Sequence, residues 1–259
     1  MGVVNVTPDS FSDGGINFDP AVAAAAARRM MADGAANVDV GGESTRPGSE
    51  GVSIDDELLR VVPVLEAVAR DLPVSIDTAK AEVARQALAL GAEMVNDVTA
   101  LRADPDLGGV VADAGCYLCL MHMQGEPRTM QLNPQYDDVV ADVTAFLEQR
   151  LSFAVAEGVD EDLICLDPGI GFGKTPEHNF ELVRRLDELV ALGRPILIGF
   201  SRKSSLGRIL GDPEAKTGPL AASLGVAVAA YERGAAIIRA HDVREHVEAL
   251  TAARAVVAP

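Results

Sequence analysis

Short apolar runs alternate with longer segments of helical spacing along the whole chain. The run Gly2–Val6 is followed by Pro20–Ala32, whose apolar positions recur with helical period. Ala36–Gly41 precedes Ile54–Arg70, where Leu58, Leu59, Val62, Leu65 and Ala69 share a face and Pro63 is expected to kink the helix. Pro73–Asp77 leads to Lys80–Leu90, and Glu93–Asn96 to a short helix near Asp106–Asp113. Cys116–Met121 leads to Asp137–Glu157, in which Val139, Val143, Phe146 and Leu147 keep the i, i+3, i+4 pattern. Leu163–Leu166 precedes one helix over Pro176–Leu192, with Thr175 placed as its N-cap and Pro176 at the first helical position. Ile196–Phe200 is followed by Lys203–Leu210 and Ala221–Arg233, and Ala235–Ala240 by Val243–Ala255.

Strand-like runs that are apolar almost throughout, alternating with amphipathic helices, indicate a parallel sheet buried on both faces. Eight such units in a chain of 259 residues match a single-domain (β/α)8 barrel over residues 1–259; an open doubly wound sheet is the alternative. No linker, charge block or low-complexity stretch divides the chain. The longest loops, Thr7–Asp19 and Gly42–Ser53, are rich in Gly, Ser, Asp and Pro and read as lids or binding loops.

Composition narrows the function. The formal net charge is −17, which disfavours a nucleic-acid partner or an anionic membrane surface. No apolar run approaches the roughly 18 residues that span a bilayer. Three cysteines are too few for a disulfide framework. Cys116 and Cys119 stand at CxxC spacing, but an i, i+3 pair on a strand points to opposite faces, so reduced core thiols in a cytoplasmic protein are expected. Met1 runs into an apolar segment with no basic leader.

In a parallel barrel, chemistry sits at the C-terminal ends of the strands. Here nearly every strand ends in a polar side chain: Asn5, Glu43, Asp77, Asn96, His122, Asp167, Ser201 with Lys203, and Arg239 with His241. One such residue is a turn or cap; eight on one rim predict a shared site. The run Asp167–Thr175 ends in Gly-Lys-Thr, but Pro168 stands where a Walker loop needs glycine. It reads as a glycine-rich turn that brings backbone close to a flat ligand, with phosphate binding as the alternative. His178 and His246, on helices, are expected to be solvated. His122 is read either as a rim residue or as core, and Arg202 either as a substrate contact or as the partner of a nearby acid.

These residues resemble dihydropteroate synthases. The resemblance is carried by Met1–Gly15 (MGVVNVTPDSFSDGG), Asp39–Gly48 (DVGGESTRPG), Ser75–Thr78, Asn96–Val98, Leu120–Met123, Asp167–Lys174, Ser201–Lys203 and Arg239–Asp242, in the family's order. It implies displacement of pyrophosphate from 6-hydroxymethyl-7,8-dihydropterin diphosphate by p-aminobenzoate in an SN1-like reaction assisted by Mg²⁺. Asp77, Asn96 and Asp167 would read the pterin's amino and ring N–H groups and Lys203 its carbonyl oxygen, with Met121 and Phe172 on the ring faces. The pyrophosphate would lie against Asn5, Arg46, Arg239 and His241, with Asn5 also the Mg²⁺ ligand. Phe11, Thr45, Pro47, Ser201 and Lys203 would form the p-aminobenzoate site. Asn5, Asp77, Lys203, Arg239 and His241 would carry the catalysis. The resemblance further implies a cytoplasmic homodimer and a sulfonamide target. A pterin-dependent methyltransferase-type barrel, a non-catalytic pterin-binding paralogue and a Schiff-base enzyme built on Lys203 are the rivals.

Three departures from the family pattern stand out. The chain starts inside the first strand, as a truncated barrel would. Asn37 holds a position that is usually apolar and needs a hydrogen-bond partner if buried. Pro219, after an unusual Gly211–Gly218 loop, replaces a common arginine. Positive charge is expected to concentrate at the strand-end rim, inside a negative outer shell.

Overall fold

The computed structural model describes residues 1–7, 19–45, 48–49 and 51–257; Phe11, Arg46 and Pro47 lie outside these. Among the described residues eight short strands alternate with helices: β1 (Gly2–Asn5), α1 (Pro20–Ala32), β2 (Val38–Gly41), α2 (Ile54–Val68), β3 (Val74–Asp77), α3 (Ala81–Leu90), β4 (Met94–Asp97), α4 (Leu107–Ala114), β5 (Tyr117–Met121), α5 (Val139–Ala156), β6 (Ile164–Asp167), α6 (Pro176–Arg184), α7 (Leu186–Val190), β7 (Leu197–Ile198), α8 (Ser204–Ile209), α9 (Leu220–Glu232), β8 (Ile237–Ile238) and α10 (Val243–Val257). Strands β1 to β6 pair in parallel in chain order, and β7 pairs with β8 in the same sense. Parallel bridges Leu166–Ile196 and Gly2–Ala240 join the two arcs. The seams are made by Leu166 N–H to Pro195 O and Ala240 N–H to Met1 O, both 2.9 Å. Because β8 returns to β1, the sheet is the closed (β/α)8 barrel that the spacing predicts, and the doubly wound alternative falls.

Alternation gives each strand an outer and an inner set of side chains. Val4, Val38, Val40, Ile76, Val95, Leu118, Leu120, Ile164 and Leu166 pack outward into the main core under the helices. Met94, Cys119, Cys165 and Leu197 form a separate apolar cluster with Met1 and Ile237. The three thiols are unbridged, and Cys116 belongs to the outer core while Cys119 belongs to the inner cluster, as the strand period requires. At the barrel end away from the strand C-termini lies a cavity of about 770 Å³, lined by Met1, Asn37, Met94, Cys165, Ile237 and His246 among others. Half-buried Asn37 donates to Ser75 Oγ at 3.4 Å.

Several local expectations change. Helix α2 runs on through Pro63, and its buried stripe is Glu57, Val61, Val64, Leu65 and Val68 rather than one through Leu59, which is 74% exposed. Two neighbouring stripes of α2 are apolar, and the one containing an acid is the one buried, because Lys80 pairs with both Glu57 and Glu43. The segment Pro176–Leu192 is two helices. Arg185 leaves helical geometry, bonds to Asp138 and Glu188, and lets Leu186 and Leu189 enter the core. His246 is buried, with Nδ1 2.7 Å from Asp242 O, and His178 closes a capping box with Thr175 while its ring meets Tyr136 edge-on. Pro219 caps α9 with extended backbone, and Gly218 N–H bonds Arg202 O, so the 211–218 loop leans on the Ser201–Lys203 turn.

The turn between β6 and α6 explains its glycines. Gly169 and Gly173 have φ of 69° and 64°, and a Cβ would stand 1.8 Å from His122 O at the first and 2.6 Å from Gln124 O at the second. Lys174, 2% exposed, turns inward: its ammonium meets His122 Nδ1 at 2.8 Å and the carbonyls of Gly169 and Phe172 at 3.0 Å each. Burial and the ammonium hold His122 down to about 2, so its ring is neutral and Nδ1 accepts, while Phe146 meets the ring edge-on. Burial also lowers Lys174, to about 7. The lysine is a brace for the turn and not a phosphate ligand.

Removing that brace strands buried acceptors. Lys174→Met is expected to cost about 2–4 kcal/mol of stability, and Gly169→Ala a similar loss through the clash with His122 O. Urea unfolding checks both; a midpoint within error of the parent protein for either variant would refute the account of this turn.

Candidate active site

Six of the eight strand ends bring their polar residues to one mouth of the barrel, and the short loops that follow hold them there. On β3 and β4, Asp77 and Asn96 are register partners, and on β5 and β6 so are Met121 and Asp167. Asp167 Oδ1 accepts from Gly169 N–H at 2.7 Å, and its carboxyl, raised by burial, is opposed by the charges of Lys203, Arg239 and Lys174. Met121 joins Val98, Met123 and Met130 in an apolar patch against which Phe172 packs. Lys203 Nζ lies 4.5 Å from the Phe172 ring centre, a cation–π contact that sets the ammonium beside an aromatic wall. Asn5, half-buried, ends β1 opposite Gly41.

Arg239 joins three strands. Its Nε and Nη2 donate to Asp39 Oδ2 at 2.8 and 2.7 Å, and Nη2 lies 3.0 Å from Asp77 Oδ2. One guanidinium thus faces two carboxylates. Desolvation, together with the charge of Asp39, pushes Asp77 up to about 8 despite Arg239. His241 stands beyond it, with its backbone N–H donating to Ser201 Oγ and its Nδ1 3.2 Å from the same hydroxyl.

Two rim residues face elsewhere. His122 supports the glycine turn from below, the core reading of the two open to it, and Glu43 is engaged by Lys80. Arg202, at a left-handed φ of 58°, is paired with Asp242. Thr45 is half-buried in the loop after β2, and that loop touches the β5–α5 connection where Gly48 N–H bonds Pro127 O. Positive charge does not line the mouth evenly: Asp39, Asp77 and Asp167 share the floor with Lys203, Arg239 and Lys174.

Sequence reasoning missed Asp39. It is fully buried in the middle of β2 and accepts from Ser75 Oγ at 2.6 Å, from Asn96 Nδ2 at 2.9 Å and from Arg239. The signal was available: a carboxylate between two valines of a strand buried on both faces must have partners. Asp97, also buried, accepts from Thr99 and Leu101 N–H and, with Arg150 on the carbonyls of Ala100 and Leu101, holds two left-handed non-glycine residues behind Asn96.

The mouth presents carboxyl and amide groups, the apolar side chains of Met121 and Phe172, and cations at one side. Residues 1–241 match the family of pterin binding enzymes. The chain is 46% identical over 255 residues to dihydropteroate synthase of Escherichia coli strain K12, covering 96% of this chain and 88% of that protein. Its fold superposes with a TM-score of 0.94 on the Yersinia pestis dihydropteroate synthase solved with a sulfonamide drug, at 44% identity, covering 100% of this chain and 94% of that one. The Xanthomonas albilineans dihydropteroate synthase solved with 4-aminobenzoic acid gives 0.90 at 46% identity, covering 100% and 93%. With a closed barrel and relatives matched over nearly their whole length, the chain belongs to the dihydropteroate synthase family of transferases.

Proposed function

We propose that this chain, as one domain, joins 6-hydroxymethyl-7,8-dihydropterin diphosphate to p-aminobenzoate, releasing pyrophosphate, and that the residues named above carry the reaction. The observation that supports this most is the convergence of Asp77, Asn96, Asp167, Lys203 and Arg239 on one mouth. Asp77, Asn96 and Asp167 accept from the pterin's N–H groups, Lys203 donates to its carbonyl oxygen, and Met121 and Phe172 cover its faces. Charge-assisted bonds to a buried planar edge give both affinity and orientation.

Arg239 and His241, with Asn5, face the diphosphate, and Arg46 is assigned to it with them. The fixed positive charge of Arg239 and the donors beside it stabilise the departing oxygen, so the C–O bond can break before the arylamine attacks. The arylamine is neutral at pH 7 and needs no strong base. Phe11, Thr45, Pro47, Ser201 and Lys203 hold the p-aminobenzoate ring and carboxylate.

Among the described residues no group of three or more His, Cys, Asp or Glu is placed to hold a metal ion. The oxygen donor of Asn5 fits Mg²⁺ only as a companion of the diphosphate, completed by phosphate oxygens and water. When bound there, Mg²⁺ would add charge neutralisation to the leaving group. The same reading includes a cytoplasmic location and a homodimer. Exposed Ile209 and Leu210 at the end of α8 and Leu220 at the start of α9 support the dimer, and light scattering showing a monomer at micromolar concentration would remove it. Among the described residues no helix is long and apolar enough to cross a membrane.

A coupled pyrophosphate assay is expected to show release that needs both substrates and Mg²⁺; none above background would refute the synthase reading. Lys203→Ala is expected to lower kcat/KM roughly 100-fold, the loss of one charged hydrogen bond of about 2–3 kcal/mol. The pH dependence has a definite sign. The pterin's N–H groups need an acceptor, and Asp77 holds a proton up to about 8, so pterin affinity rises with pH through 6 and 7 and levels off above about 8. Calorimetry in buffers of differing protonation enthalpy checks this; proton release on binding is expected at pH 7, and a flat affinity between pH 6 and pH 8.5 would contradict it.

A further inference from the structure

Asp39 lies inside its strand and not at the strand end, yet every side-chain bond it makes goes to a residue of the site or beside it. Its side chain is fully buried. Oδ1 accepts from Ser75 Oγ at 2.6 Å, and Oδ2 accepts from Asn96 Nδ2 at 2.9 Å and from Arg239 Nε at 2.8 Å and Nη2 at 2.7 Å. A carboxylate that only accepts can face only the NH₂ end of an amide. The carbonyl end of Asn96 is then turned away from Asp39. We infer that Asp39 is a positioning residue for pterin selection: by holding the NH₂ of Asn96, it fixes the amide with its oxygen toward the substrate, so the floor of the site accepts a ring N–H and rejects a ring atom that accepts.

The inference rests on the synthase reading and adds to it the origin of one specificity contact. An asparagine amide that is free to turn offers donor and acceptor about equally, and recognition at that position is lost. The Ser75 hydroxyl fixes the opposite oxygen of Asp39, so the carboxylate cannot rotate to release the amide. Arg239 uses the same oxygen as Asn96, which ties the pterin end of the site to the diphosphate end through a single atom.

The test uses 6-hydroxymethyl-7,8-dihydropterin, which keeps the ring N–H groups of the proposed substrate and lacks the diphosphate, so the role of Arg239 toward phosphate drops out. In Asp39→Asn the new amide can satisfy either end of Asn96. The pterin Kd is expected to weaken roughly 10- to 100-fold. In an Asn96→Ala background the same change is expected to cost less than about twofold, because the group it orients is gone. Equal losses in both backgrounds, or an unchanged Kd in Asp39→Asn, would overturn the inference. Should Asp39→Asn fold poorly, Ser75→Ala replaces it, with an expected weakening of roughly threefold that again vanishes in Asn96→Ala; an additive or absent effect there also overturns it. Failure of the synthase reading is separately visible, since the parent protein would then neither bind the pterin nor release pyrophosphate.

Discussion

The ion pair between Arg239 and Asp39 is the constraint on which the rest of the site hangs. Strand β8 has two residues, and a single bridge at Gly2–Ala240 returns it to β1. Backbone pairing alone holds this wall of the barrel weakly. The guanidinium compensates from inside by bonding carboxylates on β2 and β3. A buried ion pair adds little net stability because desolvating both charges offsets their attraction, but breaking one partner leaves a costly orphan. Its value here is geometric. It admits one arrangement of β8 against β2 and β3, and so sets where Arg239 and His241 lie relative to Asp77 and Asn96.

Most of the barrel was legible because its signals are local. Apolar runs bounded by turns gave all eight strands, and Thr175-Pro176 gave the start of α6 to the residue. The candidate site residues that the fold brings together were legible for the same reason: Asp77, Asn96 and Asp167 each end or nearly end an apolar run, where a polar side chain has no packing role. Asp39 escaped that logic because it sits inside the run Val38–Val40, and its partners come from β3, β4 and β8, as far as 200 positions away along the chain. Local spacing contains no information about such a partner.

The other differences have the same cause. Leu59 and Val61 lie on adjacent stripes of α2, and only the distant Lys80 decides which stripe is buried. His122 and Lys174 each have a plausible role on the rim when read singly; together they satisfy one another beneath it. Arg185 breaks a segment of good helical composition because Asp138 and Glu188 bind its guanidinium. In each case a tertiary ion or hydrogen bond outweighs a propensity difference of well under about 1 kcal/mol per residue.

The β6–α6 turn limits what this protein can become. At Gly169 and Gly173 the neighbouring atoms are backbone carbonyls, which cannot move aside as a side chain can. No replacement residue is small enough at either glycine, so the path of the turn that carries Phe172 cannot be altered at these positions without dismantling it. The course of the main chain here is therefore a fixed inheritance, and variation at this wall is left to the side chains it presents, Phe172 and Met121 among them.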